Sequence, residues 1–214
     1  MEDRRAAPFF DMDEHRIQRN AITEGSILKQ LMNFFFPVLL GMLFQQLYNM
    51  ADAVIVGRFV GKNALAAVGG SASQILNLII GFFTGLCSGA TVIIAQYYGA
   101  NDDEDVSKGV QTAIVFAAVC GVIMTVVGIV TAPWLLRIMD TPEETMADSV
   151  SYMRIVYMAM IPAMIYNMGS AILRAVGDSK RPLYFLIICC VLNVAMDIVA
   201  VVVFDLAVEG VAIA

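Results

Sequence analysis

Two aspartates lie in stretches of this chain that are otherwise suited to hydrocarbon. Asp52 separates the uncharged run 30–51 from the apolar run 53–57, and Asp197 is the only charge in 182–204. Carrying an acid to membrane depth costs at least about 2.5–3.5 kcal/mol, so such residues face a bundle interior or a water path. Asn193 stands four residues before Asp197, on the same helical face, and adds an amide oxygen. Counting 1.5 Å per residue, Asp52 lies about 9 Å below Arg58 and Asp197 about 12 Å below Asp205, so the acids fall at similar heights. Two acids and an amide at one depth form a candidate cation or proton site, able to take up H⁺ or Na⁺ from one side and release it to the other. The alternative is an acid satisfied by hydrogen bonds to neighbouring helices.

Further polar residues flank these positions. Gln45, Tyr48, Asn49 and Asp52 recur at i, i+3, i+4 and i+7, which places them on one face of a helix. In a bilayer that face turns to protein or to a hydrated cavity. Gln74, Asn77, Gly81, Thr84, Ser88 and Thr91 form a second small and polar stripe, read either as close helix packing or as cavity lining. Gln45, Tyr48, Asn49, Gln74 and Asn77 are therefore candidate substrate-cavity residues. Pro37 removes an intrahelical hydrogen bond upstream of Asp52 and predicts a bend, though membrane helices tolerate proline without any functional role for it.

The elements that must position these residues are membrane spans. Hydrophobic residues make up 59% of the 214-residue chain and charged residues 15%, well below the roughly 25% charged of a soluble domain. The mean hydropathy is +0.77. Five stretches have the roughly 20 apolar residues that a spanning helix needs: 30–57, 66–98, 109–136, 150–173 and 182–204. A sixth run starts near 207, and the chain reads as the first part of something longer. Gly69-Gly70 marks the entrance to the second span.

The net charge of −6, without a basic cluster, argues against a nucleic-acid partner. The acids gather in short connections, Asp102-Asp103-Glu104-Asp105 and Glu143-Glu144, as solvated loop charge. Cys87, Cys120, Cys189 and Cys190 fall within predicted spans without metal-type spacing and read as small apolar packing residues. His15, in the loose tail, reads as solvated.

Nine of the 13 Lys and Arg residues flank the spans on the N-terminal side of the membrane, and Arg58, Lys62, Arg137 and Arg154 lie opposite. The positive-inside rule then puts the N-terminus in the cytoplasm, with residues 1–22 as a cytoplasmic tail. Thr141-Pro142-Glu143-Glu144 combines an N-cap, a proline and a Glu three residues on, and predicts a helix start. Gly177-Asp178-Ser179-Lys180-Arg181-Pro182 is turn chemistry leading into another.

From Thr23 onward the chain resembles the multidrug and toxic compound extrusion (MATE) transporters, in their bacterial multidrug branch. The resemblance rests on Thr23-Glu24-Gly25-Ser26, on Tyr48-Asn49-Met50-Ala51-Asp52-Ala53-Val54-Ile55-Val56-Gly57 and on Ala95-Gln96-Tyr97-Tyr98-Gly99-Ala100. It rests also on Leu173-Arg174-Ala175-Val176-Gly177-Asp178-Ser179-Lys180-Arg181-Pro182 and on Asn193 with Asp197. The resemblance implies an all-α polytopic protein of the inner (cytoplasmic) membrane. Residues 23–214 would be the N-terminal six-helix lobe of a twelve-helix antiporter, with five complete spans and the start of a sixth, and the C-terminal lobe would be absent. Influx of H⁺ or Na⁺ would drive export of amphipathic, often cationic, drugs, with no cofactor. Asp52, Asn193 and Asp197 match the family's acidic site, and Pro37 matches a proline at which the first helix bends. The implied partners are drug-like molecules, membrane lipid and the second lobe.

Three other functions compete with this one. A flippase for lipid-linked precursors, from the same superfamily, needs basic residues in a central cavity to hold pyrophosphate. The spans have no Lys or Arg near mid-depth; Arg154 and Arg174 lie near span ends. An intramembrane aspartyl protease needs Tyr-Asp and Gly-x-Gly-Asp, whereas Ala51 precedes Asp52 and Ala195-Met196 precede Asp197. The expectation is a protein that is not an enzyme. An inactive membrane fragment is the third alternative.

Overall fold

The computed structural model describes residues 27–200 together with Gly210. The expected tail 1–22 and all but Gly210 of the sixth run from 207 lie outside the described residues. Helix α1 (Ile27–Ile55) continues through a π-helical turn, Val56–Val60, and a short α2 (Lys62–Gly69) follows. Helix α3 is Ser71–Gly99, α4 Asp103–Ile138, α5 Glu143–Met158, α6 Met160–Ala175 and α7 Lys180–Ile198. Among the described residues, four continuous helical stretches are long and apolar enough to cross a membrane; α5 and α6, bent by 52°, make a fifth if they form one span.

The helix starts refine the sequence reading. Asp103, Glu104 and Asp105 are the first turn of α4, not loop charge. The Asp102 side chain caps that turn, accepting from the Asp105 N–H at 3.1 Å, and acids there suit the helix dipole. Helix α5 starts at Glu143, with Pro142 rather than Thr141 at its N-cap, and no side chain caps it. Before α7, Asp178 Oδ1 accepts from the Lys180 and Arg181 N–H groups at 3.1 Å each, as the turn chemistry predicts. Helix α1 runs unbroken through Pro37.

The sharp bend lies in the fourth span instead, which the sequence reading took as one helix over 150–173. Pro162, the third residue of α6, has no N–H for the Met158 carbonyl, and its ring clashes with that carbonyl, so the helix breaks at Ala159. Helix α4 holds the break in place. Thr125 donates its hydroxyl to the Tyr157 carbonyl at 2.7 Å. Gly121 and Gly128 lie one turn to either side of Thr125. A Cβ on Gly121 would sit 2.8 Å from Ile161 Cα, and one on Gly128 would overlap the Tyr157 ring.

Small buried residues line this face of α4: Ala113, Ala117, Gly121, Gly128 and Ala132. Its opposite face carries Val115, Val119, Val122, Val126 and Val130, all exposed. With lipid tails as apolar as valine, burying large side chains gains little and close backbone approach decides the packing. A core built from α3, α4, α5 and α6 results, with Leu76, Ile94, Leu136, Met153 and Met168 among its buried residues.

Helices α1 and α7 pair with each other. Gly41 packs against Leu186 at 3.6 Å, measured from a Cβ placed on the glycine. Gly41 stands 11 residues before Asp52 and Leu186 stands 11 before Asp197. Contacts at the same offset along both chains mean parallel helices in register.

Gly128→Ala should destabilise the full-length protein by about 1–3 kcal/mol through overpacking on Tyr157. Gly89→Ala, which meets open space, should stay within about 0.5 kcal/mol. Reversible unfolding in mixed micelles measures both, and equal values would contradict the clamp.

Candidate functional site

The register of α1 and α7 brings Asp52 and Asp197 together. Their carboxyls meet closely enough to share a hydrogen bond. Asp197 is fully buried at 0% exposure, and Asp52 is half-buried. Asp52 Oδ1 and both oxygens of Asp197 are buried with no hydrogen-bond donor among the described residues. Asn193 Oδ1, one turn below Asp197, is in the same condition. Neither aspartate pairs with a Lys or Arg among the described residues.

A carboxylate only accepts hydrogen bonds, so two facing carboxylates repel unless a proton or cation lies between them. Oxygen from carboxylate and amide suits a hard cation as well as a proton. Both aspartates also sit just before a π-helical turn: Val56–Val60 after Asp52, and residues 199–200 after Asp197. The first is closed by Gly61 N–H donating to the Val56 carbonyl at 3.0 Å. Single π turns inside helices are frequent at functional sites.

The polar stripe of α1 divides. At about 100° per residue its four members span roughly 100° of the helix, with Tyr48 and Asp52 at one edge and Gln45 and Asn49 at the other. Tyr48 and Asp52 are half-buried toward the neighbouring helices, whereas Gln45 and Asn49 are exposed. Gln74 and Asn77 of α3 are exposed too, and the Asn77 amide donates to Ser73 Oγ of its own helix at 3.4 Å. The structure therefore brings together Asp52, Tyr48, Asn193 and Asp197, and leaves Gln45, Asn49, Gln74 and Asn77 outside that cluster.

Tyr152 joins the cluster without having been foreseen. It comes from α5, packs against Val56 and Ala64 as well as the main core, and lies within electrostatic reach of Asp52, Asp197 and Tyr48. Tyr152 stands in a helix of mixed polar and apolar residues that has a second tyrosine at 157, and no spacing marks it, so only the tertiary packing reveals it.

These features define a class: a polytopic helical membrane protein with an uncompensated acid pair between two parallel spans. The MatE family model matches residues 37–199, more than half of the chain, and the chain belongs to that family. It is 35% identical over 174 residues to the probable multidrug resistance protein YoeA of Bacillus subtilis (strain 168), covering 81% of this chain and 37% of the relative. It is 30% identical over 190 residues to the probable multidrug resistance protein YpnP of the same organism, covering 89% and 42%. A MOP superfamily transporter from Pyrococcus furiosus superposes with a TM-score of 0.83 at 27% identity, over 92% of this chain and 42% of that one. An outward-facing multidrug resistance transporter of the MATE family gives the same values. The chain spans about two fifths of the length of these relatives, and its fold is that of their N-terminal lobe.

Replacing one acid by an amide supplies the missing donor. Asp197→Asn should leave the full-length protein as stable as wild type or up to about 2 kcal/mol more stable, since an uncompensated buried charge is removed. Unfolding in mixed micelles at neutral pH measures this; a loss above about 2 kcal/mol would contradict an unpaired acid at that site.

Proposed function

We propose that residues 23–214 form the N-terminal lobe of a cation-coupled antiporter that exports amphipathic or cationic drug-like compounds, with Asp52, Asn193 and Asp197 as the coupling site. The observation that carries this reading is the meeting of the fully buried Asp197 carboxyl with the half-buried Asp52 carboxyl where α1 and α7 run in register. Three of their four oxygens are buried without a donor among the described residues. Such a pair is suited to binding H⁺ or Na⁺ and to exchanging it as water reaches it from alternate sides.

The geometry suggests how binding is felt elsewhere. A cation between the carboxyls draws α1 and α7 together. Tyr152, at the same cluster, ties that movement to α5 and its clamped break, and Pro37 supplies a point in α1 at which the helix yields. Loss of the ion restores repulsion between the acids and loosens the pair. Substrate and ion then compete through alternative arrangements of the first span, which is what an exchange cycle requires. The protein lies in the inner (cytoplasmic) membrane with its N-terminus in the cytoplasm, so the acid pair occupies the outward half. The multidrug resistance names of the relatives support the substrate class.

Asp52→Asn and Asp197→Asn should each lower ion-driven export of a cationic dye by the full-length protein at least about tenfold, because neither variant can cycle a full charge. Everted vesicles energised with a proton gradient or a sodium gradient provide the assay. Whichever gradient drives wild-type transport identifies the ion, and wild-type rates in both variants would refute the coupling site.

A further inference from the structure

A second polar feature lies at the other end of the same helices. A cavity of about 490 Å³ opens between α1, α3 and α6, with Phe34, Ser88, Thr91, Asn167, Ala171 and Arg174 in its wall. Phe34 is 18 residues from Asp52, about 27 Å of helical rise, so this cavity is separate from the acid pair. Its volume falls in the range of about 300–1,000 Å³ of small-molecule sites.

The charge of the wall is positive. Arg174 is the only charged residue among those lining the cavity, and no acid pairs with it among the described residues. The rest of the wall mixes apolar surface with hydrogen-bonding atoms at successive turns. Thr91 and Thr84, which also lines the cavity, donate their hydroxyls to carbonyls of their own helix at 2.8 Å each. The Asn167 amide donates to the Ala163 carbonyl at 2.9 Å, which fixes its orientation and leaves its oxygen and second N–H for a ligand. A guanidinium with five donors, set against apolar and amide surface, recognises a carboxylate, sulfonate or phosphate carried on a largely apolar body. A cation would meet a like charge here.

We infer that this cavity is a binding site for an anionic, drug-sized amphiphile, with Arg174 as its charge partner and the Thr84–Ser88–Asn167 surface along its body. Only the sidedness of the site, at the cytoplasmic end, rests on the transport reading above. Two sources carry the required chemistry, a soluble organic anion and the headgroup of an acidic lipid.

Fluorescence-polarisation titrations of the full-length protein in phosphatidylcholine nanodiscs test the inference. The probes are fluorescein, an organic anion, and rhodamine 6G, a cationic xanthene of similar shape. Arg174→Gln should weaken fluorescein binding about tenfold or more, Arg174→Lys should restore most of it, and rhodamine affinity should hold in both variants. Fluorescein binding unchanged in Arg174→Gln, or rhodamine affinity falling by the same factor, would overturn the site. Replacing phosphatidylcholine by phosphatidylglycerol separates the sources. Weaker fluorescein binding by wild type alone identifies the lipid headgroup as occupant; unchanged binding identifies the soluble anion. The titration needs no ion gradient, so a failure of coupling at Asp52 and Asp197 would not alter its result.

Discussion

The contact between Asp52 and Asp197 is the interaction on which the rest of this structure bears. Two facing acceptor-only groups, one fully and one half buried, are poorly tolerated unless something positive lies between them. A helical bundle selected for stability alone would replace one of them with leucine. Their meeting on facing helices, beside Asn193 and a π turn, is what supports the proposed ion site. Local violations of packing economy of this kind mark functional sites.

The surrounding helices serve that contact in different ways. Helices α1 and α7 set it through their register, for which Gly41 against Leu186 is the second fixed point. Helices α3 to α6 form a separate, better-packed body through small residues on α4. Tyr152 reaches from that body to the acids and also packs on Val56 in the π turn of α1. Tyr152 is thus one of the contacts through which movement of α1 against the body would be felt near the charged groups. The bend at Ala159, fixed by Pro162 and held by Thr125, keeps Tyr152 and Arg174 on separate segments of the fourth span.

The acid pair lies toward one membrane face and Arg174, in its own cavity, toward the other. An anion at the proposed Arg174 site and a cation at the proposed acid pair would be held at once without direct competition. The family resemblance alone, with its emphasis on cationic compounds, does not suggest that arrangement.

The sequence by itself determined the membrane class, the approximate spans and the depth-matching of Asp52 and Asp197, because apolar run length and residue rise are local quantities. It also marked the turn before α7, whose Asp178 cap is local chemistry. Three things required the tertiary structure. Tyr152 belongs to the acid cluster only because α5 packs on the π turn and short helix that follow α1, bringing it near Asp52, a hundred positions earlier. The stripe on α1 divides because its neighbours cover one edge, which a helical period cannot reveal. The sharp bend falls in the fourth span rather than at Pro37 because α4 presents Gly121, Thr125 and Gly128 to the break near Pro162, while α1 continues as a helix through its own proline. Helical periodicity fixes which residues share a face; the packed neighbours alone decide what that face meets.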